Sequence, residues 1–340
     1  MPANNNLTPK EFPFEVMFNK KPKTEFFNSL KNINVSLRMA PAYCDIRREC
    51  IAFANATWAD HPWTNKEIDD NISDFVQDKI MYDVFKKRIL PTTMENINLM
   101  FEIQGITVQE VTHILRYRGA TFSAECTGDR FMNEKNFCIP TAVENSDEFN
   151  KRYKQICLDA KQLYCDMVDS KEICAHDARS ILPRSSETFY FMRMNLKDAM
   201  TFIYDRVDKQ IQPQADNIIA YYMMLCLVSR YPILSLIFNS DFIHRKADFY
   251  VATARNYRAS NFYCPDEDSD CFEYNEKDFV YGTKKRDELL GTNRITPDVF
   301  TGIMKDTCHM LDKTRELIKL RYPKGVLDRP LTKEDLGGLA

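Results

Sequence analysis

Residues 218–238 form the longest apolar run in the chain, and no other feature constrains the fold as strongly. The run contains Arg230 and Pro232 as well as Tyr221, Tyr222 and Tyr231. Hydrocarbon tolerates a charge and a helix breaker only at a cost, so the pattern predicts a buried core helix and no membrane span. The body around it can be one large domain or two modest ones, since 340 residues suffice to bury a sizeable core either way. An apolar fraction of 44% and a charged fraction of 28% are ordinary for a globular protein.

Charge narrows the partners. A net charge of −3 and an isoelectric point near 6.0 argue against a nucleic-acid coat and against binding to an anionic membrane. Any polyanion must therefore be met by locally clustered arginines. Eleven cysteines invite a disulfide or metal reading, but there is no CxxC, and Cys264 and Cys271 are separated by six intervening residues without zinc spacing. Cys157, Cys165, Cys226 and Cys308 fall in helix-like runs that suit a small buried apolar residue, which predicts a reducing, cytoplasmic setting. The first fifteen residues lack the apolar core of a signal peptide. The five histidines form no HExxH, no GxSxG accompanies them, and only His113 has a claim to a site. The acidic run at 266–270 lacks the EF-hand glycine and terminal glutamate, so a solvated loop and no metal are expected.

Periodicity places strand-like and helix-like segments along the chain. Residues 1–31 are polar and aperiodic, and read as an N-terminal extension. Asn32 to Met39 alternates like a half-buried strand, and Ile97 to Ile103 reads as another that ends at Gly105. Helices are expected over Asp45–Trp58, Thr64–Lys87, Phe149–Cys165, Asn195–Asp208, Asn217–Arg230 and Asp298–Arg321. Thr107 to Glu110 is a capping box, predicting a helix that turns Val111, Ile114 and Leu115 inward and carries His113, Arg116 and Arg118 before Gly119 breaks it. Arg116 and Arg118, two residues apart and so about 200° around such a helix, would serve different ligands. Residues 32–235 are read as the main domain, and 236–340 as a C-terminal extension with a loop-rich segment and a closing helix.

Two stretches about sixty residues apart look like halves of one anion site. The first runs from His113 through Arg116-Tyr117-Arg118 to Glu125-Cys126-Thr127-Gly128 and Arg130; the second contains Arg179, Asn195, Lys197, Thr201 and Arg206. A lone arginine at an element end is usually a surface ion pair. Five of them near small residues, with a hydroxyl and an open backbone N–H at Thr127-Gly128, suit a phosphate better.

The order of these residues resembles the flavin-dependent thymidylate synthases. That family carries Arg-His-Arg, then a loop with Ser, Asn-Glu and Ser, then Arg-Tyr. Here Arg116-Tyr117-Arg118, Glu125, Thr127-Gly128 and Arg130-Phe131 stand in those places. The second block resembles the family's Ala-Arg-x-x-Leu-Pro at Ala178 to Pro183, its Thr at Thr188, its Asn-Leu-Arg at Asn195-Leu196-Lys197, and its Phe-Leu-x-x-Arg at Phe202 to Arg206. The resemblance covers roughly residues 32–235. It implies an α+β fold with a mixed sheet and helices, and a homotetramer with shared active sites, in which FAD is reduced by NADPH and methylene-tetrahydrofolate supplies one carbon to C5 of dUMP. By the same resemblance Thr92, Arg116, Tyr117, Arg118, Glu125, Asn195, Lys197 and Thr201 would meet the flavin. His113, Arg116, Glu125, Cys126, Thr127, Gly128, Arg130, Arg179 and Arg206 would meet the nucleotide, with Arg206 in the catalytic role of stabilising charge on the uracil.

Several positions depart from the family pattern. Tyr117 replaces the central histidine, Lys197 an arginine, and Leu90 a histidine that serves the folate side; Gln210-Ile211-Gln212 replace a histidine-containing end. The nucleotide-side arginines are kept better than the folate-side groups. The resemblance therefore leaves open a flavin-dependent hydroxymethylation, or other C5 modification, of a pyrimidine deoxynucleotide, and a nucleotide-binding paralogue without turnover.

Overall fold

The computed structural model of the chain describes residues 27–56, 60–87, 91–126, 131–132, 136–207, 214–244, 298–323 and 325–332. Leu90, Thr127, Gly128, Arg130, residues 210–212 and the acidic run at 266–270 lie outside the described residues, as do 1–26 of the N-terminal extension.

In chain order the elements are β1 (Phe27–Asn28), β2 (Asn34–Met39), α1 (Tyr43–Asn55), α2 (Asn65–Asn71), α3 (Asp74–Lys87), α4 (Pro91–Glu95), β3 (Asn98–Thr107) and α5 (Val108–Ile114). Then come β4 (Thr121–Ala124), β5 (Phe137–Cys138), α6 (Thr141–Glu144), α7 (Asp147–Asp169), α8 (Ala175–Ala178), β6 (Glu187–Asn195), α9 (Leu196–Arg206), α10 (Gln214–Arg230) and α11 (Asp298–Arg321).

The apolar run is α10 and the 3-10 turn Pro232–Leu236 that follows it. Ile218, Ile219, Met223, Met224, Leu225, Leu227 and Val228 are fully buried, as a helix apolar on all sides requires. It packs on β2, α9 and α11. Arg230 stays inside this core because its Nε and Nη2 donate to the carbonyls of Pro41 (2.8 Å) and Ala40 (3.3 Å). Tyr231 Oη donates to the same Pro41 carbonyl at 3.0 Å. The charge that argues against a membrane span thus ties α10 to the β2–α1 connection.

The main sheet has order β2-β3-β6-β4 and is antiparallel throughout; β1 and β5 form a separate parallel pair. Leu99, Phe101 and Ile103 of β3 and Tyr190, Met192 and Met194 of β6 supply its buried face. The opposite face carries the Arg38–Glu102 ion pair at 3.1 Å and the partly exposed Phe189 and Phe191. One buried and one open face is the usual antiparallel pattern. β3 does not stop at Gly105, as the sequence suggests, but continues through a register shift between Ile103 and Ile106 to Thr107. Gly105 makes this possible with φ +72°, and a Cβ there would lie 2.2 Å from the Asn32 carbonyl oxygen. Gly105→Ala is expected to lose about 1–3 kcal/mol from the backbone conformation alone, with the clash adding to it. An unchanged urea midpoint would contradict this.

The predicted helix over Thr64–Lys87 is two helices. Ile72, extended at φ −119°, closes α2, and its N–H bonds back to the Ile68 carbonyl. Thr64 caps α2 as the sequence indicates: Glu67 N–H donates to Thr64 Oγ1 (3.2 Å), and Thr64 N–H donates to Glu67 Oε2 (2.7 Å). That backbone donor, then the Thr64 hydroxyl and His61, push the Glu67 carboxyl from 4.5 down to about 2. A carboxyl lowered in the folded state stabilises above its ordinary value and loses that contribution as pH falls from about 4.5 toward 2. The Glu67 carboxyl carbon is therefore expected to titrate near 2 by NMR, with the Thr64 amide shifting in step. Titration near 4.5 would break the capping account.

Other boundaries moved as well. The helix expected over Asp45–Trp58 is Tyr43–Asn55, and that over Phe149–Cys165 extends over Asp147–Asp169. Asn195 is the cap and not the first residue of α9, and α10 starts three residues before Asn217. Cys157 and Cys226 are buried, while Cys165 and Cys308 are partly so.

α11 joins the same core through Phe300, Leu311, Ile318 and Tyr322. A buried polar knot fastens its end. The fully buried Asp78 of α3 accepts from Tyr43 Oη (2.9 Å), from Arg47 Nη1 (3.5 Å) and from Tyr322 Oη, with Arg321 Nη2 at 3.4 Å. Next to it Lys79 Nζ, also buried, donates to the Leu327 carbonyl at 2.7 Å and to Asp83 at 3.0 Å.

Candidate functional site

The predicted site residues gather at the two ends of α9, about 16 Å apart for eleven residues. At its N-terminal end Asn195 caps the helix, its Oδ1 accepting from Asp198 N–H at 2.8 Å and its Nδ2 donating to Asp198 Oδ2 at 2.8 Å. Lys197 pairs with Glu95 of α4, and Thr201 Oγ1 donates to the Lys197 carbonyl at 2.9 Å. Thr92 is exposed on α4, which packs on α9.

The Arg-Tyr-Arg triplet reaches this same end. Helix α5 stops at Ile114, so Arg116 and Arg118 are carried by the following turn and not by the helix. The predicted 200° separation therefore does not arise, and Leu115 is 42% exposed where burial was expected. The early stop has a packing cause. Tyr117 turns inward, donates its hydroxyl to the Asp198 carbonyl at 2.8 Å, and sets its ring edge-on to Phe202 at 5.2 Å. Burial, with Asp198 and Asp205 nearby, raises the Tyr117 hydroxyl well above its ordinary range. A Cβ on Gly119 would meet the Asp198 carboxyl at 2.8 Å and the Tyr117 ring at 2.9 Å, so the glycine permits this close approach. Arg116 and Arg118 remain exposed on either side.

The C-terminal end of α9 carries the second group. Arg206 has a side chain only 12% exposed, with its guanidinium carbon 5.5 Å from the Phe202 ring centroid. Phe202 thus lies between Tyr117 and Arg206. Arg206 Nη1 stands 3.7 Å from Asp216 Oδ2, and the same oxygen accepts from His113 Nδ1 at 2.7 Å. Asp216 is fully buried in the first turn of α10. Burial raises its carboxyl, while His113 and Arg206 oppose that rise. Tyr190 of β6 is buried in the same field: its phenol is raised chiefly by burial and next by Asp216, with Arg206 opposing. Neither the Tyr190 hydroxyl nor Asp216 Oδ1 has a hydrogen-bond partner among the described residues.

Glu125 follows β4 at this end of the sheet. Its N–H donates to the Phe189 carbonyl at 3.3 Å, and its Oε2 accepts from Thr188 Oγ1 at 3.1 Å. Cys126 next to it is exposed. Arg179 opens the 3-10 turn Arg179–Ile181. Its neighbour Ala178 is buried in one cluster with Met132 and Tyr164, so Met132 packs against the start of the second block. Among the described residues no group of three or more His, Cys, Asp or Glu is placed to hold a metal ion, and no helix is long and apolar enough to cross a membrane.

Asp216 and Tyr190 were not singled out from the sequence. The available signal is the polar pair Asp216-Asn217 at the head of an otherwise apolar run.

Fold and site together define an α+β protein in which one end of the antiparallel sheet brings an arginine, a histidine and a buried carboxylate together. The family described as Thymidylate synthase complementing protein matches residues 42–232, more than half of the 340 residues, and the chain belongs to that family. It is 26% identical over 115 residues to the flavin-dependent thymidylate synthase of Geobacter sulfurreducens, a match that takes in 33% of this chain and 48% of that one. The chain thus spans about half the length of that curated relative. The UMP/dUMP methylase PolB of Streptomyces cacaoi, solved bound with 5-Br dUMP, is similar with a TM-score of 0.51 and 17% identity, over 61% of this chain and 94% of that one. At that identity the likeness is one of fold.

Proposed function

We propose that this protein binds FAD and dUMP and transfers one carbon from methylene-tetrahydrofolate to C5 of dUMP, giving dTMP with NADPH as reductant. The observation that carries the reading is the C-terminal end of α9, where Arg206 and His113 share one buried carboxylate beside Glu125 and Thr188. A guanidinium held in a largely dry site favours the ring form that bears negative charge, and so activates C5 without an enzyme nucleophile. Family membership and the activities that name the relatives above support the same substrate class. Arg179, Thr127, Gly128, Arg130 and Cys126 complete the nucleotide site in this reading, with the phosphate on the guanidiniums and the loop.

The other end of α9 suits the cofactor. Arg116, Arg118 and Lys197 form a cationic donor set that fits the diphosphate of FAD. Thr92, Tyr117, Asn195 and Thr201 would line that side, Tyr117 and Asn195 chiefly by holding the backbone in place, while Glu125, at the nucleotide end, would face both ligands. Flavin supplies the hydride chemistry when bound, while the protein orients the ring and excludes water. We further propose a homo-oligomer, as in the resembling family. Phe149, Ile156 and Leu163, exposed by 58%, 63% and 42% and spaced seven residues apart on α7, support a subunit contact.

The test is direct. Purified protein is expected to be yellow, and dUMP to perturb its flavin spectrum; protein that binds neither FAD nor dUMP contradicts the reading. The mass of the product separates methylation from hydroxymethylation. NADPH oxidation coupled to a dUMP-derived product eliminates a paralogue without turnover.

A further inference from the structure

Asp216 has no role in the reading above except to be near two residues that do. We propose that Asp216 is the positioning residue of the nucleotide site, a single buried acceptor that sets His113 and Arg206 for one shared ligand. The inference rests on the nucleotide reading of those two residues.

Three observations carry it. First, one oxygen serves both partners: Oδ2 accepts from His113 Nδ1 at 2.7 Å and lies 3.7 Å from Arg206 Nη1. His113 comes from α5, after β3, and Arg206 from the end of α9, after β6, so the carboxylate joins elements from two separate strands. Second, the next residue grips the same place by another route. Asn217 Nδ2 donates to the Arg206 carbonyl at 2.7 Å, so the first turn of α10 holds both the backbone and the guanidinium of Arg206. Third, the polar demand is unfinished. Asp216 Oδ1 and the Tyr190 hydroxyl are buried with no hydrogen-bond partner among the described residues. Buried polar atoms are rarely left so, and a polar ligand or water beside them would complete the set.

The chemistry follows from the ring. A carboxylate only accepts, so the shared bond fixes the His113 proton on Nδ1 and presents Nε2 on the exposed side of a ring whose side chain is 36% exposed. The charged and titratable groups facing Asp216 are His113 and Glu110 from α5, Arg206 from α9 and Tyr190 from β6. Glu110 is raised by burial with Asp216 contributing, so among the described residues two acids face one guanidinium and one imidazole. Removing the Asp216 charge releases the ring orientation and the guanidinium together.

Asp216→Asn is the test, read on dUMP affinity, FAD content and the ring 15N spectrum of His113. About a tenfold loss of dUMP affinity is expected, from one charge-assisted contact, with FAD content unchanged. The effect should shrink in a His113→Gln background, where one of the two routes is already gone. In the wild type His113 is expected as the Nδ1–H tautomer, and Asp216→Asn should shift it toward Nε2–H. Unchanged dUMP affinity in Asp216→Asn overturns the inference, as does a wild-type ring protonated on Nε2 alone; the second reading needs no variant to fold. Wild-type protein that binds no dUMP overturns the function and this inference together. Tight wild-type binding with an indifferent variant overturns this inference only.

Discussion

Arg206→Ala is expected to weaken dUMP binding by about 10- to 100-fold, the equivalent of losing one or two charge-assisted hydrogen bonds. Turnover should fall at least as far, because the same guanidinium is assigned to the charge that develops on the uracil ring. FAD content should hold, since Arg116, Arg118 and Lys197 stand at the opposite end of α9. Stability should fall too. Asp216 keeps His113 at 2.7 Å but loses the guanidinium. Breaking a close buried ion pair costs about 3–5 kcal/mol; the looser 3.7 Å contact here should cost about 2 kcal/mol. Arg206→Lys separates the two effects. It keeps a positive charge near Asp216 but has no planar fork for a bidentate contact. It is expected to recover much of the stability and little of the nucleotide affinity. Calorimetry with dUMP and a urea titration read the two separately. An Arg206→Ala protein with wild-type affinity and turnover would remove this residue from the site.

The second large effect is structural and lies far from that cluster. Asp78→Ala is expected to destabilise the protein by about 3–5 kcal/mol, since removing a buried charge strands its partners. Those partners are the Tyr43 and Tyr322 hydroxyls and the Arg47 and Arg321 guanidiniums, which converge on one carboxylate from α1 and from the end of α11. Tyr322→Phe removes one hydroxyl from the same knot and should cost about 1–2 kcal/mol. Limited proteolysis gives an independent reading. In Asp78→Ala, cleavage should appear first around 322–332, because the neighbouring Lys79–Leu327 contact then holds that segment with less help. If Asp78→Ala unfolds at the wild-type urea concentration, the knot does not secure the C-terminal helix.

Local rules made much of this fold readable. Helix α11 begins and ends where its periodicity places it, at Asp298 and Arg321. The Thr107 capping box starts α5, and Thr64 caps α2. Each of these depends on residues within one or two turns, whose hydrogen bonds and apolar spacing act before any long-range contact forms. Strand β6 was not legible in the same way. It is central to the sheet, yet Phe189 and Phe191 stand on its open face and Tyr190 and Met192 on its buried one, so apolar residues run through both faces and mask the alternation. Tyr117 shows the same limit at the site. Its inward turn and the early stop of α5 answer to Asp198 and Phe202, some eighty residues away.

The site divides along the same line. The sequence by itself determined the core helix at 218–230, the family signature, and the arginines and hydroxyls that signature names, because these are carried by composition, spacing and residue order. It took long-range packing to bring His113 and Arg206 to a shared partner, to make that partner Asp216, and to set Asn195 and Lys197 at one end of α9 with Arg206 at the other. The physical reason is the buried carboxylate. Its effect depends on burial and on contacts 103 residues apart, and neither is expressed in the spacing of the residues that it joins.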